Sequence, residues 1–179
     1  NVKPKEFNGW NEPQRLAFLV NAYNAFTIKL ILDNYPVESI KDIGGLFSSP
    51  WKKEFFSLLG KKRYLDWIEH EVIRKEYNEP RTHFALNCAS IGCPRLLNEA
   101  YRASHWEKQL ELQTKAFLRD ASRNTIKNKN KELVLSKIFD WFKEDFIKKS
   151  GSVKNFALPY MTDDKDLIAK IKTKEWDIE

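Results

Sequence analysis

The chain has 179 residues, of which 42% are hydrophobic and 13% aromatic, so it can bury a core without staples, and a single domain over 1–179 is expected. The net charge of +6 is spread along the sequence, and the one basic cluster, Arg123 to Lys131, has no interleaved aromatic residues, so nucleic-acid binding is not expected. There is no run of eighteen apolar residues, so no transmembrane segment is expected. No signal peptide is visible, but the opening Asn1 leaves room for a targeting segment removed on export to the periplasm or cell exterior.

Asn11, Glu12 and Pro13 open a long helix, with Asn11 able to cap it and Pro13 tolerated in its first turn, that runs to about Asn34 before Pro36 stops it. Its interior, LAFLVNAYNAFTIKLIL, is apolar on nearly every face, which predicts a helix in the middle of the domain. Asn21 and Asn24 share one side of it and must find partners, either knitting the core or lining a pocket, while Tyr23 faces elsewhere as a packing residue. Glu54 to Leu59 and Arg63 to Leu65 then flank Gly60 as a hairpin. Asp66 and Glu69 form a capping pair for a helix to Tyr77, in which His70 shares a face with Arg74 and lies next to Glu69. His70 is either a packing or surface histidine, or a base for the site that follows.

That site is Thr82 to Pro94, THFALNCASIGCP, which holds His83, Asn87, Ser90 and both cysteines, Cys88 and Cys93. THFALNC reads as a buried strand with His83, Ala85 and Asn87 on one face; in a helix His83 and Asn87 would still coincide. Three readings stay open. The cysteines are small buried hydrophobes beside a satisfied histidine, or they close a short disulfide loop, or Cys88 is a nucleophile with His83 as base and Asn87 as orienting group, lined by Ser90 and Cys93. Metal ligation by His83, Cys88 and Cys93 with His70 or His105 lacks the paired two-residue spacings of structural zinc sites. Nucleophile-elbow, phosphate-loop, dinucleotide and zincin motifs are missing, and no cofactor is implied.

Ser104 and Glu107 form a capping box for a helix to about Ala121, with His105 exposed, and a hairpin joins Thr125-Ile126 to Leu133-Val134-Leu135. Ser136 caps a helix striped with Phe139, Phe142 and Phe146 and ended by Gly151; its Asp140 and Asp145 could orient a histidine or form a solvated face. An irregular NFALPY segment, a short helix capped by Thr162 and an edge strand from Lys174 to Ile178 close the chain. The sum is an α+β domain with several helices, including a long buried central one, on a small, mainly antiparallel sheet.

Four segments in this order, NAYNAFTIK, LDWIEHEVIRKEY, HFALNCASIGCP and LSKIFDWFKEDF, resemble the domain of unknown function 547 family, over nearly all the chain from about Trp10. The family pattern matches Asn21, Tyr23 and Asn24, then Glu69 and His70, then His83, Asn87, Cys88, Cys93 and Pro94, and finally Ser136, Phe139 and Asp145. The resemblance implies a domain common in bacterial proteins, often exported, and in plant proteins behind a leucine-zipper segment, usually with more sequence ahead of where this chain begins. It carries no established activity. The domain is also distantly similar to the papain and transglutaminase group, where a thiol opening a buried central helix faces a histidine on a strand. Here that helix carries Asn21 in place of cysteine, and the thiols follow the histidine.

The leading expectation is a thiol-dependent hydrolase or acyl transferase acting on a peptide or small-molecule amide. In it Cys88 attacks, His83 or His70 moves the proton, and Asn87, Asn21 or Asn24 stabilises the oxyanion, with Tyr23, Glu69, Ser90 and Cys93 lining the site. The alternative is a non-catalytic binding or scaffold domain with a structural polar core and a structural Cys88–Cys93 pair.

Overall fold

In the computed structural model, which describes residues 2–44, 49–90, 92–172 and 176–178, the chain folds around the long helix α2, Glu12–Asp33. Asn11 accepts the backbone N–H of Gln14, whose own side chain accepts that of Asn11, so two otherwise unpaired donors are satisfied at the start. At the other end the Asn34 amide donates to the carbonyl of Leu30 at 2.7 Å. A short helix α1, Pro4–Asn8, precedes it and packs Phe7 against Trp10 and Phe18. By length and composition α2 could cross a membrane, yet Leu16, Leu19, Val20 and Tyr23 are wholly excluded from solvent inside the domain.

Strands β1, Phe56–Leu58, and β2, Lys61–Arg63, form the expected antiparallel hairpin, with Gly60 at φ +78° in the turn. Phe56 stacks on Phe26 at 3.8 Å and fixes the hairpin to α2. The helix that follows is π-helical over Trp67–Ile73, with its last turn, α3, at Arg74–Glu76. Asp66 makes no capping hydrogen bond there, contrary to the sequence expectation; it lies beside His70.

The segment expected to be a strand is a 3₁₀ turn, Pro80–Phe84, leading into an irregular loop. Its polar groups are satisfied locally rather than by a ladder. Glu79 accepts the N–H of Arg81, the Thr82 hydroxyl donates to Glu79 O, and Ala85 and Leu86 both donate to Thr82 O.

Helix α4, Trp106–Leu118, follows a 3₁₀ turn at Ala103–His105. The expected Ser104–Glu107 box is not formed, because the Glu107 carboxylate accepts from Arg81 at 2.8 Å. Strands β3, Thr125–Lys127, and β4, Glu132–Val134, pair antiparallel, and β5, Asp177–Ile178, adds parallel to β4. The expected edge strand from Lys174 is therefore seen in its last residues, and 173–175 lie outside the described residues.

Four helices complete the fold: α5, Ile138–Trp141; α6, Lys143–Ser150; α7, Val153–Met161; and α8, Lys165–Lys172. The single expected helix after Ser136 breaks at Phe142, and Gly151 ends α6 in the left-handed region as its position predicts. NFALPY is helical, not irregular, because Ser152 caps α7 by accepting the Asn155 N–H. Asp164, rather than Thr162, caps α8 through Leu167 N–H.

The architecture is α+β, with two small sheets and two apolar clusters. One cluster surrounds α2, β1–β2 and the π-helix; the other surrounds Phe146 and gathers α5–α8 with Phe84 and Phe117. The Pro80–Phe84 turn lies where they meet.

Candidate functional site

The wide turn of the π-helix places Asp66, His70 and Arg74, each four residues apart, in one row. The Nη1 of Arg74 lies 3.1 Å from His70 Nδ1, and the Nε2 of the same ring lies 3.9 Å from an Asp66 oxygen. The same guanidinium reaches α6 and grips Asp145 with two bonds, Nε to Oδ2 at 2.7 Å and Nη2 to Oδ1 at 3.2 Å. Asp145 Oδ2 also accepts His83 Nε2 at 2.8 Å, and on the other side of that ring Glu69 Oε1 lies 3.8 Å from Nδ1. Phe142 stacks on the His83 ring at 3.8 Å and lies beneath the Arg74 guanidinium. The result is one row of charged and titratable groups, Asp66, His70, Arg74, Asp145, His83 and Glu69, joining the two halves of the fold.

The electrostatics follow from burial and these partners. Burial would raise the Glu69 carboxyl, but His83, His70 and the Tyr23 phenol outweigh it and hold Glu69 below its ordinary value. Burial likewise works against ionisation of Asp145, and the hydrogen bonds from His83 and Arg74 overcome it and drop its pKa far below the usual carboxylate range. Asp66 goes the other way, raised by burial despite the pull of His70. Burial, with the Glu69 charge beside it, keeps the Tyr23 phenol well above its ordinary value.

A cleft of about 360 Å³ opens over this row. Tyr23, Glu69, His70 and His83 reach it from below, Cys88, Ser90 and Cys93 form one wall, and Trp51, Trp141 and Phe142 supply aromatic surface. With Asp66 raised and Glu69 lowered in one cleft, the site offers both a carboxyl that retains its proton to higher pH and a buried carboxylate.

Cys88 and Cys93 are joined as a disulfide, their Cα atoms 6.0 Å apart. Both nitrogens of His83 face carboxylates or their neighbourhood, and the pair Cys88 and His83 meets only as two walls of the cleft. The three asparagines bond to backbone. Asn21 exchanges two hydrogen bonds with Tyr101, Asn24 donates to Ala85 O and accepts Asn87 N–H, and Asn87 donates to Pro94 O while accepting Ala89 N–H. Asn24 and Asn87 brace the segment that carries His83 and the disulfide, and Asn21 ties α2 to the chain at Tyr101. His105 is exposed beside Ser104, away from the cleft.

Of the two acidic candidates in the late helices, Asp145 meets His83, whereas Asp140 is exposed and pairs with Lys137. Nothing in the sequence marks Trp51, Trp141, Lys41 or Asp66 as lining groups, and only their place in the fold brings them to the cleft. Among the described residues, no group of three or more histidine, cysteine, aspartate or glutamate side chains is arranged to hold a metal ion.

These features define an α+β domain with an open cleft over a partly buried histidine–carboxylate row. The profile of the family described as protein of unknown function, DUF547, matches residues 7–118, more than half of the chain, and the chain belongs to that family. The matched span includes His70, His83 and both cysteines and stops before Phe142 and Asp145. Comparison with curated proteins and with solved structures gives no match.

Proposed function

We propose that the domain is a ligand-binding module whose cleft takes a small molecule or a peptide segment, with its polar residues serving to build and orient the cleft walls. The observation that carries this reading is the open cleft itself, mostly apolar in its walls, with His70 and His83 in its lining held in place from outside it: His83 bonds to Asp145, Asp145 to Arg74, and Arg74 to His70. The disulfide and the backbone-bonded asparagines support it, since they leave Cys88 without a free thiol and the amides occupied. Screening a small-molecule and peptide library by thermal shift and Trp fluorescence tests the reading. It expects ligands whose affinity falls at least tenfold in His70→Ala with the fold intact, and it fails if every ligand found binds that variant equally.

A second reading, the thiol-dependent hydrolase or acyl transferase, is favoured by one observation: Cys88, His70 and His83 line a single cleft. It requires the disulfide to be opened, after which Cys88 would attack an amide carbonyl with a histidine moving the proton. Turnover of fluorogenic amides by reduced protein, abolished by Cys88→Ala, is the outcome it expects. Activity unchanged in that variant would remove it.

A further inference from the structure

We propose that the Cys88–Cys93 disulfide is a thiol–disulfide exchange site, in which an incoming thiolate attacks Cys88 and Cys93 leaves. Three independent features of the loop point this way. Both cysteines line the cleft, so the bond lies beside a space a thiol can enter. The two cysteines differ in access: Cys88 is half-buried, whereas Cys93 is 6% exposed. The hydrogen bonds are also unequal. Cys93 Sγ accepts the backbone N–H of Cys88 at 3.2 Å and lies 3.3 Å from the Ser90 hydroxyl, which must be the donor because a disulfide sulfur carries no proton. Ser90 Oγ lies farther, at 3.5 Å, from Cys88 Sγ.

That asymmetry sets the direction of the reaction. Exchange rates rise as the leaving thiolate is stabilised, and they depend on which sulfur can be reached. Two donors aimed at Cys93 stabilise charge on that sulfur, while Cys88 presents the more accessible one. The incoming thiolate forms a bond to Cys88 Sγ as the Cys88–Cys93 bond breaks, and the electron pair departs on Cys93 Sγ, held by Cys88 N–H and Ser90. A second thiol then attacks the mixed disulfide, releasing the external disulfide and leaving a Cys88 thiolate. Two external thiols are thereby oxidised and one protein disulfide is reduced. The substrate class is a low-molecular-weight thiol or the cysteine of a peptide.

The loop tolerates this chemistry. The two cysteines are only five apart in sequence, so the bond constrains little of the chain. Asn24 and Asn87 hold the loop through hydrogen bonds that do not involve the bond itself. Opening it would convert the disulfide wall of the cleft into a Cys88 thiol facing the same space as His70 and His83. The proposal does not rest on the ligand-binding reading, because its readout is the mass of the adduct.

The oxidised 179-residue chain is incubated with reduced glutathione near neutral pH, quenched with an alkylating reagent and digested for mass spectrometry without denaturant in the exchange step. The expected result is glutathione on Cys88 with the alkyl group on Cys93, and exchange slowed roughly fivefold in Ser90→Ala while the circular dichroism spectrum stays unchanged. Glutathione found mainly on Cys93, exchange that waits for denaturant, a rate untouched in Ser90→Ala, or free thiols at both positions after treatment with oxidised glutathione would each overturn the proposal.

Discussion

The two apolar clusters are built from different side chains. Around α2 the fully buried residues are largely aliphatic, Leu16, Leu19, Val20, Leu30, Leu65, Ile68 and Ile73, and these come from α2 and the segment that follows the β1–β2 hairpin. Around Phe146, beside aliphatic residues such as Leu118, Leu133 and Leu158, the rings of Phe84, Phe117, Phe139 and Phe156 form a connected set with that of Phe146 at separations of 4.6–6.4 Å, drawn from distant segments. Neither cluster contains the charged row. Glu69 and His70 belong to the π-helix against the first cluster, Asp145 to α6 and Phe142 to the break between α5 and α6 in the second, and His83 sits on the turn between them. The site is therefore a property of the seam, and its geometry depends on both clusters being docked. Regions with separate cores can open separately, so the row serves both as a cleft floor and as the polar tie across the junction.

The sharpest way to break this comparison is to empty the aromatic cluster alone. Phe146→Ala removes a fully buried ring in contact with Phe139 and Phe156, at a cost of about 3–5 kcal/mol. Urea unfolding followed by amide exchange should show α5–α8 losing protection before α2. Equal loss in both regions would mean that the clusters unfold as one unit.

Asp145→Asn attacks the tie instead. It leaves Arg74 and His83 without their shared carboxylate, and a cost of about 2–3 kcal/mol at neutral pH is expected for one member removed from a partly buried network. The pH dependence has a definite sign. Because the folded carboxyl titrates well below its unfolded value of about 3.9, its contribution is fully present above that value and is lost as pH falls through the folded pKa. The stability gap between wild type and variant should hold from pH 7 to about 5 and then shrink in acid. A gap that widened in acid would contradict the assignment. Glu69, shifted in the same direction, keeps some acid sensitivity in the variant.

Asn24→Ala tests the seam from the α2 side. It orphans the Ala85 carbonyl and the Asn87 N–H, which predicts about 2 kcal/mol of destabilisation and loosening of the His83 turn and the disulfide loop. Faster amide exchange confined to 83–94 is the expected signature, and unaltered exchange there would show that Asn24 does not brace this segment.

How far the sequence announced all this depends on the kind of signal. Helix α2 was legible because its cap, Asn11, and its apolar length are local. The β1–β2 turn and the Gly151 stop were legible because positive φ selects glycine. The 82–88 segment reads as a strand because its short apolar run fits a strand as well as a buried turn, and what decides the matter is Asn24, some sixty residues away, taking hydrogen bonds a ladder would have taken. His83 and His70 stood out by residue type. Asp145 stood out as one of two carboxylates, and nothing local distinguished it from Asp140. Trp51 and Trp141 carried no signal at all, since their meeting at the cleft is set by the docking of the two clusters.

Trp141 separates binding from stability with the smallest perturbation. It is 60% exposed at the cleft, so Trp141→Ala should change unfolding free energy by less than about 0.5 kcal/mol. A large aromatic surface left open beside a polar floor still offers a contact that a ligand would cover. If the cleft is a binding site, the variant should keep its melting temperature while losing several-fold in affinity for any ligand that also depends on His70. If its affinity matches wild type, the bound ligand lies deeper, against Tyr23 and Glu69, and the seam rather than the aromatic rim sets what the domain recognises.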